Sequence, residues 1–136
     1  MKEIICGFAG VGKSTLAKKR AGYVDLESTP FKKDWDLYSD VAIHMAKSGY
    51  TVMVSCHLGI RQALKQKEVN YKVYSPVESE KYRYLQNYKD RGDDESFLKM
   101  FETNFYKFIK EISETETNVF WLHGRNLEDG LNLTNK

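Results

Sequence analysis

The chain reads as an α/β domain built on a parallel sheet. Three observations predict this. Short apolar runs of strand length alternate with longer segments of helical period along most of the chain. The runs are continuous rather than alternating apolar and polar, which marks strands covered on both faces. The first run, EIICGF at residues 3–8, stops at glycines and passes straight into a helical segment. That strand–loop–helix order is the opening of a parallel unit.

The elements follow in order. After the strand at 3–8, a helix is predicted over Lys13–Arg20, with Ser14 and Thr15 in its first turn. Lys18, Lys19 and Arg20 fall at its end, where cations suit the helix dipole. A second short strand is predicted over Tyr23–Leu26, and Pro30 interrupts any continuation. Trp35–Ser48 carries Leu37, Val41 and Met45 at spacing four, which predicts a helix with those residues inward. Gly49 stops it. TVMVSC at 51–56 is the most strand-like run, and His57–Lys67 follows as a helix with Ile60 and Leu64 inward. Tyr71–Tyr74 is a fourth strand, closed by Pro76. A tyrosine-rich basic helix is predicted over Val77–Lys89. A long helix over Asp93–Ser113 places Leu98, Phe101, Phe105, Phe108 and Ile112 on one face. Val119–Leu122 is the last strand, ended by Gly124, and the polar tail from Asn126 is expected to be loose.

With 136 residues and no linker or internal repeat, the chain is expected to form a single domain, 1–136. Its net charge of +2 is too small to make nucleic acid the expected partner. No apolar stretch reaches membrane length, so no membrane partner is expected. Cys6 and Cys56 form no CxxC pair, which argues against a zinc ribbon or redox motif. Both read as small buried residues, and the chain as cytoplasmic with reduced thiols.

The chemistry sits in GFAGVGKST, Gly7–Thr15. Gly7-x-x-x-x-Gly12-Lys13-Ser14 meets the P-loop pattern in full. Gly7, Gly10 and Gly12 permit backbone angles that aim successive N–H groups at one anion, and Val11 lies within that run. The helix that follows puts its positive end at the same point. Lys13 supplies a mobile charge for the β- and γ-phosphates, Ser14 a hydroxyl for Mg²⁺, and Thr15 completes the first turn. The reading is an ATP-binding loop.

Together with VDLEST (24–29), VMVSCH followed by LGIRQAL (52–64) and YKDRGDDESF (88–97), the loop resembles the small P-loop nucleotide kinases. The chain is similar to the nucleoside monophosphate kinase and shikimate kinase group, and above all to small adenylate-kinase-like proteins of phages and Gram-positive bacteria. The likeness runs to about Leu122. It implies a three-layer sandwich around a parallel five-stranded sheet of order 2-3-1-4-5. It also implies a short lid helix, here at about 77–92, and phosphoryl transfer from MgATP to a small acceptor. A nucleoside monophosphate is the first expected acceptor. A hydroxyl acceptor, nucleoside or shikimate-like, is the alternative.

The resemblance assigns residues as well. Asp25 and Glu27 follow the second strand near the γ-phosphate, and Asp25 is a base for a hydroxyl acceptor, a group near Mg²⁺, or a turn cap. Arg61 follows the third strand, where it would clamp an acceptor anion, or else stand solvated at a helix start. His57 would bond a phosphate or cap the helix. Trp35 and Tyr38 would stack an acceptor ring or staple a helix start. Arg83 and Arg91 are the lid cations, with Arg91 preferred, and Lys81 and Lys89 read as solvated surface. Gly124 and Arg125 occupy the adenine region. Val54-Ser55-Cys56-His57 stands where the family carries an acid, so Mg²⁺ would rely on Ser14, water and Asp25. A rival reading of another class is a nucleotide-binding regulatory protein without turnover.

Overall fold

The structure is a computed structural model that describes residues 1–134. Five strands, β1 (Ile4–Gly7), β2 (Tyr23–Asp25), β3 (Thr51–Val54), β4 (Lys72–Ser75) and β5 (Val119–Trp121), form one sheet in the order β2-β3-β1-β4-β5. All neighbours are parallel: Ile4 pairs with Val52, Cys6 with Val73, Tyr23 with Thr51 and Ser75 with Trp121. The expected α/β class and strand order both hold. The three central strands are almost wholly buried and the two outer ones half-buried. Continuous apolar runs are what strands covered on both faces require.

Six helices are described: α1 (Lys13–Lys19), α2 (Trp35–Lys47), α3 (Leu58–Gln66), α4 (Lys81–Asp90), α5 (Glu95–Thr115) and α6 (Leu127–Thr134). Right-handed crossovers place α1 on one face of the sheet and α2, α3 and α5 on the other. The contacts agree. Lys19 of α1 pairs with Glu128 of α6, and Lys67 after α3 bonds Asp40 of α2 at 2.8 Å. The chain moves to one side of β1 to make β2 and β3, then crosses to the other for β4 and β5. A ligand crevice in such a sheet lies outside the carboxyl ends of the strands at that reversal. The loop after β1 is at that place.

Two expectations are corrected, those for α2 and for the tail; on α5 the expected face packs against the core and Ile109 joins it. The buried face of α2 is Tyr38, Ser39, Ala42 and Ala46, whereas Leu37 is half exposed. The alanines let the helix lie close to the sheet, and the larger residues sit on its flanks. On α5 the buried positions are Phe101, Phe105, Ile109 and Ile112, with Phe108 and Leu98 only partly covered. The described part of the tail, to Thr134, is not loose, and 135–136 lie outside the described residues. The described part forms α6, whose Leu127 and Leu131 are fully buried. Gly130 allows the close approach, since a Cβ there would stand 2.5 Å from Leu122. The missed signal was local: the Asn126 side chain caps the helix by accepting from the Asp129 N–H at 2.9 Å, and Leu127 and Leu131 lie one turn apart.

Candidate functional site: a glycine loop with free amides

The loop between β1 and α1 is held by its side chains and its carbonyls. Phe8 and Val11 are buried, and Phe8 meets the rings of Tyr84, Phe101 and Phe105 edge-on. The Phe8 N–H donates to the Tyr74 carbonyl at 3.1 Å. The Ala9 carbonyl accepts from the Tyr88 hydroxyl at 2.7 Å, and the Val11 carbonyl from the Leu127 N–H at 2.8 Å. The Gly7 carbonyl accepts from Lys13 Nζ at 2.5 Å. Gly10 and Gly12 take positive φ angles of 88° and 103°, which only glycine adopts without cost.

The consequence is an asymmetry. The carbonyls of Gly7, Phe8, Ala9, Val11 and Gly12 face protein donors, while the N–H groups of Gly10, Gly12, Lys13, Ser14 and Thr15 have no protein partner among the described residues. No side chain caps α1 either. Free amides at the start of a helix form an anion cradle. Val11 is a correction within this set. Its N–H bonds the Phe8 carbonyl at 3.2 Å, so it anchors the loop and offers no donor. Gly7, too, contributes by shape: a Cβ there would press on the Lys13 side chain at 3.0 Å.

Lys13 folds back over the loop. Burial pushes its ammonium below the usual lysine range, and the charge of Asp25 works against that shift. Asp25, at the end of β2, is therefore close enough to Lys13 to share its field. Burial raises the Asp25 carboxyl above the usual aspartate range; Lys13 lowers it and Glu27 adds to the rise. Ser14 and Thr15 are exposed on the first turn of α1. No cluster of three or more metal-ligating side chains occurs among the described residues. Ser14, Asp25 and Glu27 each offer hard oxygen, the donor type that Mg²⁺ takes.

On the acceptor side the structure separates the expected residues. Arg61 is a correction: its side chain is 0 % exposed. Its guanidinium donates to the Cys56 carbonyl at 3.1 Å, Thr115 Oγ1 at 2.8 Å, Glu116 at 3.0 Å and Glu111 at 2.7 Å. It ties α3 to the end of α5 and leaves no fork for an acceptor anion. Tyr38 is a second correction. It is fully buried, donates to the Leu26 carbonyl at 2.5 Å and accepts from the Ser55 N–H at 3.0 Å. It joins the ends of β2 and β3 and cannot stack a ligand.

Trp35 and His57 stay at the crevice wall, their rings 5.2 Å apart. Trp35 lies flat on the first turn of α3, where a Cβ at Gly59 would meet the indole nitrogen at 2.1 Å. His57 Nδ1 bonds Ser55 Oγ at 2.8 Å. Desolvation, then the charges of Lys13, Lys33 and Arg61, hold His57 below the usual histidine range. Sequence reasoning missed Lys33 as a crevice cation.

The segment expected as the lid, 77–92, is packed against the core. It is a short 3₁₀ turn, Glu78–Glu80, followed by α4. Tyr84 and Tyr88 of α4 are buried, packed on the glycine loop and on Phe97, Phe101 and Phe105 of α5. These rings make α4 part of the core. Arg83 pairs with Glu80 at 2.7 Å. Arg91 pairs with Asp93 and lies over the Tyr88 ring at 4.9 Å, near enough for its charge to be felt at Lys13. The loop after β5, with Gly124 at φ 79° and Arg125, leads into Asn126 and Leu127, which meet the glycine loop at Gly12 and Val11. Arg125 also lines a shallow apolar groove with Phe120, Trp121 and Leu133. No helix is long and apolar enough to cross a membrane among the described residues. No family model matches the chain, and no curated protein is significantly similar to it.

Proposed function

We propose that the protein is an ATP-dependent phosphotransferase of the P-loop kinase type, acting on a small acceptor. The observation that carries this reading is the set of amides without protein partners, Gly10 and Gly12 to Thr15, above which Lys13 lies. Such a cradle suits the β- and γ-phosphates of a nucleotide. Mg²⁺ would be held by Ser14 and the phosphates, with Asp25 nearby. Gly124 and Arg125 would border the adenine.

The acceptor is best read as a hydroxyl. Arg61 is consumed by Glu111 and Glu116, so the cation that favoured a monophosphate is absent from the crevice. Asp25 stands within the field of Lys13, and Glu27 within that of Asp25. Two carboxylates repel an anionic acceptor and suit a hydroxyl that must lose a proton. Asp25 would take that proton as the hydroxyl oxygen attacks the γ-phosphorus and ADP leaves. Trp35 and His57 would form the acceptor's wall. A nucleoside monophosphate is the second reading, favoured by Lys33, whose charge reaches His57.

Binding tests the nucleotide half of the reading. MgATP is expected to bind wild-type protein in calorimetry. Lys13→Ala is expected to weaken it by about 10- to 100-fold, the range of one charge-assisted hydrogen bond. A wild-type protein with no affinity for ATP or ADP at millimolar concentration would refute the proposal. Tight binding without turnover on any acceptor would favour a regulatory nucleotide-binding role instead.

A further inference from the structure

Tyr88 combines two contacts with the glycine loop. Its hydroxyl donates to the Ala9 carbonyl at 2.7 Å, a span of 79 positions in the chain. Its ring edge fills the space beside Gly10, where a Cβ would approach Tyr88 Cε1 to 2.7 Å. The opposite claim on the ring comes from Arg91, whose guanidinium lies 4.9 Å from its centroid. Phe97 extends that platform at 5.5 Å, and Asp93 fixes the guanidinium from the side. The residue is fully buried, so the ring has little freedom.

We propose that Tyr88 is a positioning residue that registers Arg91 to the phosphate-binding loop, fixing the Ala9–Gly10 peptide with its hydroxyl and carrying the guanidinium on its ring. The proposal rests on the phosphotransferase reading for its purpose, though not for its geometry. Turning the Ala9 carbonyl outward keeps it from facing an incoming phosphate, which it would repel. The same peptide then presents the Gly10 N–H to the crevice, as a nest requires. A loop set in advance costs less to order when nucleotide binds. Arg91, the residue that closes α4, is held beside that loop through the Tyr88 ring. Burial pushes the Tyr88 phenol far above the usual tyrosine range, so it remains a donor at every working pH.

Tyr88→Phe separates the brace from packing, because it keeps the ring and deletes the donor. Two measurements decide. In the ligand-free protein, amide exchange at Val11 and Leu127 reports loop shape, because their bonds to the Phe8 and Val11 carbonyls depend on it. Exchange at those two sites is expected to rise about tenfold, with β1, β3 and β4 unchanged. In calorimetry, the MgADP Kd is expected to rise about 5- to 20-fold, while the unfolding midpoint falls by a few degrees, as the loss of one buried hydrogen bond requires. Tyr88→Leu removes the platform too and is expected to make Arg91→Ala no longer additive with it. Exchange and affinity within twofold of wild type in Tyr88→Phe would overturn the proposal. A wild-type protein that binds no MgADP ends the nucleotide reading instead, and the exchange comparison still decides on the brace.

Discussion

Asp25→Asn is expected to lower the rate of phosphoryl transfer by about 10²- to 10⁴-fold, the usual contribution of a general base. Affinity for MgATP should change by only a few-fold, because the amides are untouched, although Lys13 loses the charge that offsets its burial. The pH dependence follows from the direction of the shift. Burial holds the Asp25 carboxyl above the usual aspartate range, against the pull of Lys13. A base works only when ionised, so the rate should fall as pH drops through that raised value, at a pH above the one expected for a free aspartate. Stability should move the other way. The native state binds this proton more tightly than the unfolded chain, so ionised Asp25 costs stability as pH rises through the interval between the two values. Asp25→Asn should therefore unfold at a slightly higher temperature than wild type at neutral pH. A variant both inactive and more stable is the pattern of a functional group held in an unfavourable place. A rate within threefold of wild type would remove Asp25 from the chemistry.

Arg61→Ala is expected to destabilise the fold by about 3–5 kcal/mol, the cost of stranding the partners of a buried ion pair. For a domain of this size that is about 10–15 °C in the thermal midpoint. Burial alone would raise the Glu116 carboxyl, but hydrogen bonds from Lys65, Tyr71 and Arg61 outweigh it and hold it below the usual glutamate range. The stability this contributes is present above the unfolded-state value and is lost as pH falls through the lower folded value. Wild type should thus lose its advantage over Arg61→Ala progressively in acid. Below denaturing temperature, the variant's KM for acceptor is expected to be unchanged per folded molecule. An increase in that KM with unaltered stability would return Arg61 to the acceptor site. Thermal scans at pH 7 and pH 4, with acceptor kinetics at 20 °C, make the comparison.

Much of this architecture was legible because a buried parallel strand has a plain signature. EIICGF and TVMVSC are continuous apolar runs, and both became central strands. The glycine loop was legible for a different reason: its backbone angles at Gly10 and Gly12 are nearly confined to one residue type. What could not be read was partnership at long range. Nothing near Arg61 in the sequence announces Glu111 and Glu116, which lie on the far end of another helix. An arginine after a strand looks the same whether it meets a ligand or two carboxylates.

Tyrosine was the second blind spot. Tyr38 and Tyr88 each have a polar tip and a large ring, so each suits a ligand as well as a core. Their hydroxyls instead serve the backbone of Leu26 and Ala9. That choice depends on which strand end stands opposite, a property of the assembled sheet. The α2 face was misread by one position, because Ala42 and Ala46 carry less apolar weight than Leu37 and Met45. Small residues win where a helix must approach closely, and hydrophobicity alone does not register that.

The central claim is transfer of the γ-phosphoryl to an acceptor hydroxyl. Its most direct test is ADP formation from MgATP, measured with purified protein alone and with nucleosides, shikimate or nucleoside monophosphates added in turn. At least one hydroxyl acceptor is expected to raise the rate tenfold or more over ATP alone, with the label of γ-labelled ATP recovered on that acceptor and lost in Asp25→Asn. Stimulation by monophosphates only, or by no acceptor, would contradict the account.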